Sequence, residues 1–175
     1  VRKEIDGKLI SAPAPEAPVE KPTDLLYHAG VKNQDDEMEF LNVSDYEKFL
    51  RENGLYKEGA RKIVITGQMA DATELIKALE EAGHNVYPVS SFTRFMEFVR
   101  EIGPDAVINM AHGRMGDAMV EYLKEHNIPL FAPLTINSLV EDWENDPMGM
   151  SGGFLSQSVV TPEIDGAIRP FALFA

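Results

Sequence analysis

The chain has 175 residues, with 16 Lys and Arg against 29 Asp and Glu, a formal net charge of -13 and no Cys. Such acidity leaves no basic stripe for phosphate backbones or anionic lipid and argues against nucleic acid and membrane surfaces as partners, while the missing thiols exclude disulfides, thiolate metal sites and cysteine nucleophiles. One core of ordinary size fits this length, and no run approaches the roughly 18 apolar residues that span a bilayer, so a soluble, cytoplasmic protein without membrane insertion is expected.

Residues 1–24 hold Pro13, Pro15, Pro18 and Pro22 among Ala and Glu, a composition that favours an extended strap or linker over a core element. Residues 25–175 are expected to form an α/β domain, opened by a short strand at Leu25–Tyr27. The acidic run from Asp35 to Glu39 lacks the spacing of a calcium loop and reads as solvated. Ser44 and Glu47 have capping-box spacing, predicting a helix that bears Tyr46, Phe49 and Leu50 and is closed by Gly54.

From Lys62 to Pro147 a unit repeats four times: a short apolar run, a small or polar turn, then an amphipathic helix. The runs are Ile63–Thr66, Val86–Val89, Ala106–Asn109 and Pro129–Ala132. Ala72, Leu75, Ile76, Leu79 and Ala82 fall on one helical face after the first run, with Asp71 and Glu74 as an N-terminal cap and Gly83 as a stop. A second helix carries Phe95, Met96, Phe98, Val99 and Ile102 and ends at Gly103-Pro104. The third runs from about Gly116 to Asn127, with Met119, Val120 and Leu123 apolar. A fourth holds Ile136, Leu139, Val140 and Trp143 and ends near Asp146-Pro147. The order predicts a three-layer, mostly parallel sheet of about five or six strands, flavodoxin- or Rossmann-like, with its loops gathered at one edge. At the far end, residues 170–175 read as one more strand, and both ends suggest a segment of a longer, multidomain polypeptide.

Chemistry is expected where strands hand over to helices. The turn at Gly67-Gln68-Met69 has neither three dinucleotide-type glycines nor a phosphate-loop lysine; it reads first as a tight turn, with Gln68 a candidate ligand contact. Ser90 and Ser91 can bind a carboxylate or cap the next helix. The richest turn, Asn109 to Asp117, brings an imidazole, a guanidinium and a carboxylate together around Gly113. There His112 can serve as base or metal ligand, Arg114 can clamp a carboxylate and Asp117 can orient either. The alternative is structural: Asp117 capping the helix, Arg114 paired with a neighbouring acid, His112 on the surface. Of the remaining histidines, His84 and His126 suit helix ends, and His28 stays open as a metal ligand beside His112.

Several short motifs in register, spanning Leu25 to the end, resemble the large subunit of cobaltochelatases and magnesium chelatases. They are Tyr27-His28, the helix end from Ala78 to Val86, Pro104–Asn109, Pro133-Leu-Thr135 before Trp143, and above all Pro162-Glu-Ile-Asp-Gly166, which in that family lies between two strands. The resemblance implies ATP-dependent insertion of a divalent metal, cobalt or magnesium, into a tetrapyrrole, as in cobalamin or chlorophyll synthesis. It also implies other domains of the same subunit, ATP hydrolysis on partner subunits and no resident cofactor or turnover in this piece alone. Gly67-Gln68-Met69 stands where the family has an Arg-Ser-His type loop, and Ala29-Gly30 where it has Pro-Asp, which leaves the metal and the ring open. Residues 104–117 are also similar to the first domain of ATP-grasp ligases that join D-alanines, and a non-catalytic ligand-binding module is the third reading.

Overall fold

The computed structural model describes residues 2–5, 8–11, 24–28, 38–67, 72–91, 93–136, 139–169 and 172–174. Inside the segment expected to be an extended strap, β1 (Arg2–Ile5) and β2 (Lys8–Ser11) pair antiparallel, separated in sequence by the hairpin-favouring pair Asp6-Gly7. The prolines of that segment, the proposed cap Asp71 and Gln68 lie outside the described residues.

The body is a six-stranded sheet. In chain order its strands are β3 (Leu25–His28), β4 (Met38–Phe40), β5 (Lys62–Thr66), β6 (Asn85–Ser90), β7 (Ala106–Asn109) and β8 (Leu130–Phe131), placed side by side as β4-β3-β6-β5-β7-β8. The last four run parallel, and β3 and β4 add an antiparallel edge. Helices α1 (Val43–Glu52), α2 (Thr73–Glu81), α3 (Phe95–Ile102) and α4 (Asp117–Glu125) connect them.

Successive strand residues point to opposite faces, and each strand is apolar at both parities, so the sheet needs cover on both sides. Leu26, Val64, Tyr87 and Val107 face one core with Tyr46, Phe98, Val99, Met119 and Leu123 from α1, α3 and α4. Their neighbours Ile65 and Val86 face a second, smaller core with Ala72 and Ile76 at α2, against which Tyr27 and Ile108 pack. The expected three layers follow directly from this alternation.

Caps and polar ties fix the frame. Asn42, not Ser44, caps α1: its Oδ1 accepts from Asp45 N at 2.8 Å, and Ser44 Oγ donates to the same oxygen. Glu47 is thereby released from the proposed capping box, and its Oε1 instead accepts from Tyr87 Oη at 2.7 Å and Lys62 Nζ at 2.9 Å, tying α1 to two strands. Helices α2 and α3 end at left-handed glycines, Gly83 and Gly103, as their sequence stop signals require.

The last third departs from expectation. Prolines at 129 and 133 flank the fourth apolar run and deny it ladder donors, so β8 is only two residues long. Ile136, assigned from sequence to the fourth helix, lies in β9 (Leu134–Ile136), which pairs parallel with β10 (Ala172–Phe174). The helix α5 is reduced to Val140–Asn145 and buries none of its residues. Beyond it α6 (Gly152–Leu155), capped by Ser151 Oγ, runs on through a π-helical turn (Ser156–Val160) into α7 (Thr161–Ile164). Residues 158–160 are therefore helical where the family resemblance implied a strand, and Pro162 sits in the first turn of α7, where its missing N–H is tolerated.

The carboxyl of Glu47 responds to opposing influences. Partial burial pushes it up, but the hydrogen bonds from Tyr87 and Lys62 and the nearby positive charges outweigh that, and it lies below the ordinary glutamate value. A lowered carboxyl stabilises the fold above the unfolded-state pKa of about 4.3, and that contribution fades as pH falls through the folded value. Glu47→Gln is expected to cost about 1 kcal/mol at pH 7. In urea unfolding at stepped pH the difference from wild type should shrink below about pH 4.

Candidate functional site

Strands β5 and β7 are neighbours, yet α2 leaves β5 toward one face and α4 leaves β7 toward the other. Right-handed crossovers in this strand order force that divergence, and between the two departing loops lies the crevice where doubly wound sheets take their ligands. The loops meet closely. Met110 N donates to Thr66 O at 2.8 Å, and Asn109 Oδ1 folds back to accept from Ala111 N at 3.1 Å. Gly67 has φ +66, and a Cβ there would lie 2.4 Å from Asn109 Oδ1 and 2.6 Å from Ala111 N. Only glycine satisfies both demands.

The loop after β7 is held from outside by the helical arm of residues 152–165. Gly113, at φ +100, donates its N–H to Gln157 O at 3.0 Å, and the His112 ring meets Phe154 edge-on at 5.4 Å between centroids. Asp165, its side chain 1 % exposed, accepts from Arg114 Nε at 2.7 Å and from Met115 N at 2.8 Å. Arg114 also reaches the exposed carboxylate of Asp117 at the start of α4. The carboxylates of Asp165 and, after it, Asp117 hold the guanidinium above its already high pKa, so it stays charged. Beyond α7 the chain returns to the sheet: Ile168 bridges Phe131, with Ile168 N donating to Leu130 O and Ala132 N to Ile168 O.

His112, Gly113, Arg114 and Asp117 are thus gathered on one pinned loop, with Arg114 already carrying the acid partners that the structural alternative required. Ser90, the last residue of β6, is exposed. Its neighbour Ser91 is occupied: Ser91 Oγ donates to Asp24 at 2.5 Å and accepts from Arg94 N, and Asp24 also accepts from Thr93 N and Oγ1, so this turn is built as a cap. His28 is buried on β3, with its Nε2 2.9 Å from Glu80 in the last turn of α2. The end of α2 lies at the edge where the parallel strands begin, so His28 and His112 sit at opposite edges and do not share a ligand. Among the described residues no three His, Asp or Glu side chains converge into a metal-holding group, and no helix is long and apolar enough to cross a membrane.

Sequence reasoning passed over Asp24, Phe154 and Gln157, and knew Asp165 only as part of a motif. In the sequence the Pro-Glu-Ile-Asp-Gly string reads as a family motif between strands, and the loop its carboxylate reaches 51 positions away leaves no local signal.

Fold and site together define a doubly wound α/β domain whose ligand-edge loop is clamped by a C-terminal helical arm. The family model described as CobN/Magnesium Chelatase matches residues 2–175, and the chain belongs to that family, which carries a chelatase-type function. No curated protein and no solved structure matches the chain.

Two substitutions test the clamp in urea unfolding. Gly67→Ala is expected to lose about 2–5 kcal/mol, because it adds both overlap and a left-handed alanine, whereas Gly59→Ala, at φ +71 in open space, loses about 1 kcal/mol. Asp165→Ala strands the Met115 N–H and is expected to cost about 1–3 kcal/mol, with the exposed Asp117→Ala changing little.

Proposed function

We propose that this protein is the ring-docking part of a chelatase large subunit: it holds a tetrapyrrole while a divalent metal, cobalt or magnesium, is inserted. In this reading ATP is hydrolysed on separate partner subunits, as the family resemblance implies, and the turn after β5, without a phosphate-loop lysine, agrees with it. The observation that carries the proposal is the family match across residues 2–175.

The loop after β7 supplies the chemistry. Tetrapyrroles of this kind carry carboxylate arms, and Arg114 offers them a guanidinium whose inner edge Asp165 fixes in place. Its outer partner, Asp117, is 79 % exposed. An ion pair so exposed is weak, so a substrate carboxylate can take the place of Asp117 without disturbing the buried Asp165 contact. His112, held against Phe154, is the base beside it, suited to accept a pyrrole proton as metal enters.

Absorbance titration of the protein with a metal-free porphyrin and with a metal-free corrin-type ring tests the reading. Binding of either ring is expected, with Asp117→Asn tightening it a few-fold and Arg114→Gln weakening it. Addition of ATPase partner subunits, ATP and the divalent metal should then yield the spectrum of the metallated ring. Failure to bind either ring overturns the proposal.

A further inference from the structure

Ser158 is 5 % exposed, and its Oγ is buried with no hydrogen-bond partner among the described residues. Arg169 has two further donor atoms, Nε and Nη1, both buried and without a partner among the described residues. They belong to one neighbourhood, for Arg169 Nη2 donates to Val159 O at 2.8 Å, directly beside Ser158. A guanidinium and a hydroxyl with unmet donors inside a fold are expensive, and proteins that keep them do so for a partner. The backbone is unusual at the same place: Ser156–Val160 is π-helical, a geometry concentrated at functional positions, and Ser158 is its buried residue.

We infer that Ser158 and Arg169 form a carboxylate-binding subsite behind the ligand-edge loop. Three open donors, Nε–H, Nη1–H and Oγ–H, match a planar anion that accepts at several lone pairs. A single positive group in a chain of net charge -13 suits a carboxylate rather than a phosphate dianion. The nearby acids do not fill the role: Asp165 is committed to Arg114 and Met115 N, and Glu163 is exposed. The subsite adjoins the loop through Gln157, which precedes Ser158 and accepts from Gly113 N. Given the ring-docking reading, on which this assignment of the ligand rests, its occupant is a second carboxylate arm of the tetrapyrrole, apart from the one at Arg114. The same chemistry would also accept a free small carboxylate.

The test compares metal-free protoporphyrin as free acid and as dimethyl ester, in absorbance titrations of wild type, Arg169→Gln, Arg169→Lys and Ser158→Ala. Wild type is expected to favour the free acid by about tenfold or more, the scale of one lost charged hydrogen bond. Arg169→Gln should reduce that preference several-fold without changing ester binding, the share read by Arg114 remaining, Arg169→Lys should restore it in part, and Ser158→Ala should reduce it a few-fold. An unchanged free-acid to ester ratio in Arg169→Gln overturns the subsite and leaves the preference to Arg114. If neither form binds wild type, the ring assignment falls, and thermal melts in millimolar succinate decide the rest. A rise in wild-type Tm that Arg169→Gln abolishes keeps the subsite for free carboxylates, and no such rise ends it. Melts without ligand give an independent check. Removing a buried, partly unpaired charge should leave Tm unchanged or higher, and a large drop would show that the guanidinium is already satisfied.

Discussion

A single buried carboxylate, that of Asp165, joins the loop after β7 to the C-terminal helical arm. It takes one guanidinium N–H from Arg114 and one backbone N–H from Met115, so it orients a side chain and a stretch of main chain at once. A carboxylate in apolar surroundings is tolerable only when such donors satisfy it, and the geometry that satisfies it also sets the loop. Residues 112–117 therefore inherit their arrangement from a segment some fifty positions downstream. Arg114 keeps one edge fixed and one edge exchangeable, an arrangement suited to holding an anionic ligand in a set orientation.

Why the ligand edge lies where it does is a matter of the sheet. Strands apolar at both parities demand cover on both faces, and right-handed crossovers then send the connections after β5 and β7 apart. The crevice they leave has a narrow floor, in which Gly67 lies against Asn109 and Ala111. At the opposite edge the structure spends its polar groups on stability: His28 on Glu80, Glu47 between Lys62 and Tyr87, and Asn85 paired in both directions with the Lys57 backbone. The candidate site and the polar ties of the frame lie at opposite ends of the parallel strands.

The segment of residues 139–168, which includes the arm, is more apolar at its surface than the other described residues. Leu139, Val140, Trp143, Met148, Leu155, Val160, Ile164 and Ile168 are all exposed to more than a third of their surface, whereas outside residues 139–168 Leu41 is the one comparable side chain among those described. These residues lie within the range, 2–175, that the CobN/Magnesium Chelatase family model matches.

Periodicity and punctuation were enough to reveal the repeated strand-and-helix units, the helices closed by Gly83 and Gly103, the parallel sheet and the richness of the loop from His112 to Asp117. These are local properties, written in the spacing of apolar residues and in the backbone preferences of glycine and proline. The motif around Asp165 even pointed to the family, but its shape was misjudged: a strand was expected where the chain is helical. Ser44 has the spacing of a capping box, but Asn42, two positions earlier, caps α1, and only the path of the chain decides that. Ile136 fits a helical period as well as a strand, so its place in β9 and the shortness of α5 have no local signal. Which acid meets Arg114, which edge receives His28, and whether Ser158 and Arg169 face inward were decided by tertiary structure alone. Those contacts join residues far apart in sequence, and no local preference encodes a partner that only the closed sheet brings within reach.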